Sequence, residues 1–229
     1  IQVGAVDKRA RTMEFNEELM GDLVRFVSSH EIGHCLGLRH NMGASSQTPV
    51  EKLRDKKWVE ANGHTASIMD YARFNYVAQP EDNISSKGIY PRVGDYDKWA
   101  IEWGYRYFPE EEGDPAREAK RLVEFVNKKV ANPIYRYAPR QTYSVDPTVR
   151  TEDLGDDHLM SSTLGMKNLA IIRSQLGQWI QNDPDSRKKK AMYLTVVQQY
   201  YLYLKNAMSL VGGVVTREAR LSTSLPRYQ

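Results

Sequence analysis

The sequence predicts a mainly α protein with little sheet. Apolar residues recur at helical spacing over long segments, as in Leu19, Leu23, Phe26 and Val27. Residues that start and stop helices bracket those segments, with Asn, Thr or Asp ahead of them and Gly behind. Alternation of Tyr with polar residues, the mark of a strand, is confined to the stretch 133–153.

The first helix is expected to be capped by Asn16, with Glu17 and Glu18 in the first turn, where acids suit the helix dipole. It should run through His30 and His34 to about Leu36, with Gly37 as its stop. A second helix is expected from Thr48, because Thr48 and Glu51 match a capping box and Pro49 takes the favoured first position. It should end near Asn62-Gly63. Residues Ala72 to Arg92 read as a loop. Asp95 is placed to cap a third helix and Asp114-Pro115 to open a fourth, with Leu122, Phe125, Val126 and Val130 on one face. A short hairpin is expected within Pro133 to Asp153. Two longer helices follow, Asp157 to Ile180 and Asp183-Pro184 to about Val211, with Gly212-Gly213 ending the second and an extended tail to Gln229. The tyrosines of that last helix, Tyr193, Tyr200, Tyr201 and Tyr203, read as packing residues. The run Arg187 to Lys190 reads as a solvated helix face.

With 229 residues the chain can bury a sizeable core as one large domain or two small ones. Its 32 basic and 29 acidic side chains, a formal net charge of +3, are too balanced to point to nucleic acid or an acidic membrane surface. No apolar stretch approaches the ~20 residues of a membrane span. Cys35 is the one cysteine, so cysteine usage says nothing of the redox compartment. The chain opens on Ile1 and shows no leader, as expected of a piece of a longer protein.

Chemistry concentrates in His30-Glu31-Ile32-Gly33-His34-Cys35-Leu36-Gly37-Leu38-Arg39-His40, which holds three of the five histidines. His30 and His34 lie four apart, so on a helix their imidazoles share a face and can grip one ion. Zinc favours such nitrogen donors in tetrahedral geometry. Gly37 lets the chain leave the helix with positive φ, and His40 can then swing back as a third ligand. The fourth position stays open for water. Glu31, next to His30, is placed to take the proton as that water attacks a carbonyl. Cys35 is expected in the core, and His64 and His158 as ordinary polar residues.

This pattern, HExxHxxGxxH, resembles the metzincin clan of zinc peptidases. Ser67-Ile68-Met69-Asp70-Tyr71, with Met69 29 residues after His40, looks like the clan's Met-turn. The resemblance implies Zn2+ on His30, His34 and His40, Glu31 as general base, Gly37 and Met69 as structural residues of the site, and a peptide or protein substrate. Tyr71 matches a tyrosine that in astacin-like and serralysin-like members helps stabilise the oxyanion. The residue after the third histidine is Asn41, where astacins have Glu and serralysins usually Pro. Residues Tyr96 to Tyr105 and Leu164 to Leu169 are similar to large bacterial zinc-dependent metalloproteases, a group typically exported to the periplasm or cell surface.

In metzincins a twisted sheet precedes the zinc helix, and its edge strand holds substrate. Only 15 residues precede the expected helix here. The expected architecture is therefore a zincin-like core reduced to zinc helix and Met-turn (1–110), followed by a helical region of the same peptidase (111–229). The upper N-terminal sheet subdomain would be missing from this fragment, and the N-terminal part of the parent would complete the cleft. The fragment alone is expected to be weakly active or inactive. The alternatives are a zincin-like binding or structural module that no longer catalyses, and a site using a glutamate such as Glu102 in place of His40.

Overall fold

The computed structural model describes residues 1–139 and 145–216. Among them are the α-helices α1 (Glu17–Cys35), α2 (Val50–Arg54), α3 (Lys56–Asn62), α4 (Ser86–Ile89), α5 (Asp95–Tyr105), α6 (Pro115–Asn127), α7 (His158–Trp179) and α8 (Ser186–Met208). Short 3-10 turns lie between them, and no strand occurs among the described residues. The expectation of a mainly helical chain holds. No described helix is long and apolar enough to cross a membrane.

Helix α1 starts as the sequence predicts. The Asn16 side chain accepts from Leu19 N at 2.9 Å, which satisfies one of the orphan donors of the first turn. The helix ends at Cys35, and Gly37, at φ 82°, turns the chain back so that Leu38 N donates to Gly33 O. The α6 start at Asp114 and the α7 start at Asp157 are also as expected, each carboxylate accepting a backbone N–H of the first turn. Helix α8 begins slightly later than Asp183-Pro184, with Asp185 as its cap.

Several expectations need correction. The second helix is two: α2 is capped at Pro49 without a side-chain bond, and the Thr48–Glu51 capping box does not form. The orphan Val50 N–H is taken instead by Asp156, 106 residues away. The chain then breaks at Asp55, whose side chain caps α3 through Trp58 N. Gly94, rather than Asp95, caps α5, because Asp97 reaches back to accept from Gly94 N. The loop 72–92 contains α4 and a 3-10 turn at Pro80–Asp82.

The hairpin expected in 133–153 is not found in its described part. Residues 136–139 are irregular backbone there, and the Asn41 side chain takes the place of a partner strand, donating to Arg136 O and accepting from Ala138 N, both at 2.9 Å. Residues 140–144 of that stretch, and the tail beyond Thr216, lie outside the described residues. Cys35 is exposed rather than in the core, because the last turn of α1 presents it to solvent.

The largest core cluster joins α7 and α8 to earlier parts of the chain. Leu169, Ile172 and Leu176 of α7 pack with Val196 and Tyr203 of α8, and with Val50, Leu53, Ala72, Tyr76 and Val77. Tyr203 stacks on Tyr76 with ring centroids 4.6 Å apart. Of the α8 tyrosines read as packing residues, Tyr203 is buried, Tyr200 packs at the edge of the core, and Tyr193 and Tyr201 are exposed. A second cluster seats α1 through Leu19 against Val3, Val59, Ala78, Ile84, Ile89 and Tyr90. A third packs Tyr96 and Trp99 of α5 against Phe125 and Val126 of α6, and includes Ala66, three residues before Met69.

Candidate metal centre

Helix α1 brings His30 and His34 onto one face, and the turn at Gly37 returns His40 to them. The His40 Nε2 lies 3.1 Å from His30 Nε2 and 3.1 Å from His34 Nε2. Three nitrogens held by a tetrahedral zinc at about 2.0–2.1 Å would be about 3.4 Å apart, close to what is seen. The other ring nitrogens of His30 and His34 are committed to the backbone. His30 Nδ1–H donates to Ile68 O at 2.7 Å and His34 Nδ1–H to Leu38 O at 2.9 Å. A proton on Nδ1 leaves the Nε2 lone pair unprotonated, which is the tautomer a metal needs. Neutral lone pairs turned toward one another repel unless a cation sits among them, so the donor set fits zinc. It is also the one such group of His, Cys, Asp or Glu among the described residues.

Glu31 is exposed on the turn of α1 that carries His30. The Tyr71 ring lies against two of the imidazoles, with centroids 4.5 Å from His40 and 5.4 Å from His30. Met69 is fully buried beneath the histidines, and its Sδ presses on the α1 backbone: a Cβ built on Gly33 would fall onto that sulfur. Glu102 lies on the exposed side of α5, paired with Arg106, and takes no part in the cluster.

Three contributors were not identified as functional from the sequence. Asn41 holds the turn through its backbone as well as its side chain, since Asn41 N donates to Met69 O at 3.2 Å. Ser67 Oγ accepts from Met69 N at 3.0 Å. Asp97, on the first turn of α5, accepts from Ser67 Oγ at 2.5 Å and from Ile68 N at 2.8 Å, and so clamps the Met69 turn. Burial pushes the Asp97 carboxyl above its usual range, while these hydrogen bonds pull it down. Ser67 and Asp97 both fall inside stretches that the sequence marks as motifs. Nothing in their spacing shows that they meet.

His64 and His158 stand apart from the cluster and are both buried. His64 donates from Nε2 to Arg73 O at 3.2 Å, and burial lowers its pKa to about 4. His158 sits 4.0 Å from Asp153 in the core beneath Ser45. An open groove between α2 and the start of α7 lies elsewhere. Of its four acids, Asp156, Asp157 and Asp55 are occupied in capping Val50, Met160 and Trp58.

A helix offering two imidazoles, a glycine turn returning a third, and a buried methionine turn beneath them define a zinc-binding module of the zincin kind. The Met-zincin family model matches residues 12–229, and the chain belongs to that family. No curated protein and no solved structure matches it. Membership implies zinc, which His30, His34 and His40 are placed to hold.

Proposed function

We propose that the protein is a zinc-dependent endopeptidase that hydrolyses peptide bonds in peptide or protein substrates. The observation that carries this reading is the convergence of three Nε2 atoms with Glu31 on the adjoining helical position. When bound, zinc would supply Lewis acidity to an attacking water and to the scissile carbonyl. Glu31 removes the proton from that water and returns it to the leaving amine. Tyr71, lying against His30 and His40, donates its hydroxyl toward the oxygen that gains charge. His30 and His34 keep their orientation through the Ile68 and Leu38 carbonyls, so these steps need little rearrangement.

The test compares the zinc-loaded chain with its Glu31→Gln variant on a mixture of quenched fluorescent peptides. Zinc content should be the same in both, and turnover should fall about 10²–10⁴-fold in the variant. The ratio carries the test, because no strand among the described residues offers to align an extended peptide and absolute rates are expected to be low. Equal rates in the two zinc-loaded proteins would overturn the peptidase reading in favour of a zincin-like binding module.

A further inference from the structure

Zinc-binding histidines are commonly oriented by a carboxylate that accepts from the free ring nitrogen. His30 donates instead to a backbone carbonyl, that of Ile68. The same peptide unit carries the Met69 N–H, which donates to Ser67 Oγ at 3.0 Å. The Ser67 hydroxyl in turn donates to Asp97 Oδ1 at 2.5 Å. Its direction is fixed, because the Ser67 oxygen already accepts from Met69 and the Asp97 carboxylate can only accept.

We infer that Asp97 is a positioning residue for the metal centre, acting on His30 through a directed relay: His30 Nδ1–H to Ile68 O, Met69 N–H to Ser67 Oγ, Ser67 O–H to Asp97. Every bond in the relay points the same way, and such chains polarise one another. The carboxylate charge is thereby felt at the imidazole, three hydrogen bonds removed. The other Asp97 oxygen holds Ile68 N and Gly94 N at 2.8 Å each, which ties the residue bearing the relay carbonyl to the start of α5. All three relay partners are shielded from water, with Ser67 and Met69 at 0% exposure and Asp97 at 2%. The relay gives the Met69 turn a task beyond packing: it is the conductor between α5 and α1. The ligand His34, whose Nδ1–H goes to Leu38 O, is held from within its own turn.

This inference rests on the zinc reading of the three histidines but not on peptidase activity, so the readout is metal affinity. Zinc affinity of the full 229-residue chain and of its Ser67→Ala variant is measured by competition with a chromogenic chelator. Melting of each metal-free form is recorded alongside. Ser67→Ala should weaken zinc roughly tenfold, the lower end for a lost supporting partner. Asp97→Asn should weaken it similarly. The double variant should be no worse than the weaker single one, since either change severs the same relay. If Ser67→Ala lowers the melting temperature but leaves zinc affinity unchanged, Ser67 and Asp97 are merely structural and the inference falls. If the parent chain itself takes up no zinc, the metal reading beneath it falls as well.

Discussion

The part of the chain that carries the histidines and the α7–α8 pair keep their shapes by different means. Around the site the backbone is largely irregular, and buried polar side chains hold it. Asn41 binds residues 136 and 138, and Asp97 binds 67, 68 and 94. In α7 and α8 the backbone satisfies itself and most partners are apolar, Leu169, Ile172 and Leu176 against Val196 and Tyr203, with buried Asn168 and Asn206 adding a few side-chain bonds to the loops that pack on them. Packing tolerates some repacking and still yields a fold. A buried polar clamp does not, because a lost partner leaves an unpaired group in a water-free setting. The site therefore depends on a few atoms at fixed places, while the pair of long helices supplies bulk stability.

The largest effect is expected from Tyr203→Ala. Tyr203 is 1% exposed and stacks on Tyr76, and truncating a buried aromatic of this kind costs about 3–5 kcal/mol. Chemical denaturation should show that loss. Zinc affinity measured under folding conditions should stay within about twofold of the parent, since Tyr203 packs on Tyr76 and Gly165 and neither belongs to the Asn41 or Asp97 clamp. A variant that loses stability and zinc together would show that the two regions form one cooperative unit, and would break the contrast.

How much of this could be read beforehand follows the same division. Periodicity and caps announced α1, α6 and α7, because a helix is a local object and Asn16, Asp114 and Asp157 act within one turn of their own positions. The meeting of the three histidines was legible for the same reason: His30, His34, Gly37 and His40 lie within one turn and its exit. What escaped is non-local. The break at Asp55 follows from Asp156 taking the Val50 N–H and from Asp55 capping α3. The expected hairpin gave way to Asn41, a residue that the sequence marks only as a departure from related subfamilies. Asp97 meets Ser67 across 30 residues. Cys35 occupies a helical position whose exposure depends on what packs beside α1.

A pH series probes the polar side of the contrast. His64 is 1% exposed and keeps one hydrogen bond, to Arg73 O, and its pKa is lowered from 6.5 to about 4, chiefly by burial. The unfolded chain therefore binds this proton between roughly pH 6.5 and 4 while the folded chain does not. The stability His64 allows is fully present above pH 6.5 and is lost as pH falls through that window, by on the order of 3 kcal/mol at pH 4. Buried carboxyls with raised values, Asp70, Asp97 and Asp153, oppose the trend, since their folded forms gain protons first. The His64 contribution is isolated as the difference between the parent and His64→Gln, measured by urea unfolding at pH 7 and pH 4. That difference should shift by about 3 kcal/mol against the parent on acidification. A constant difference would mean that the folded protein accommodates the charged imidazole, and that the polar region is better hydrated than its burial implies.

The smallest change tests where the two kinds of construction meet. At Gly33, between His30 and His34, the α1 backbone rests on the Met69 sulfur with no room for a methyl group. Gly33 is helical, so alanine there would gain up to about 1 kcal/mol of helix propensity in the absence of Met69. Overpacking against a buried side chain costs about 1–3 kcal/mol, so Gly33→Ala is expected to destabilise by about 1–2 kcal/mol net. Met69→Leu pulls back the large sulfur, and combining it with Gly33→Ala should recover part of that loss, a coupling only touching residues show. The informative quantity is zinc affinity in the single variant. Met69 shares its peptide with the carbonyl that orients His30, so a displaced sulfur moves that carbonyl and should weaken zinc severalfold, even though Gly33 binds no metal. If stability falls while zinc affinity stays constant, the methionine is cushioning alone, and the geometry of the three histidines is set by α1 and the Gly37 turn without it.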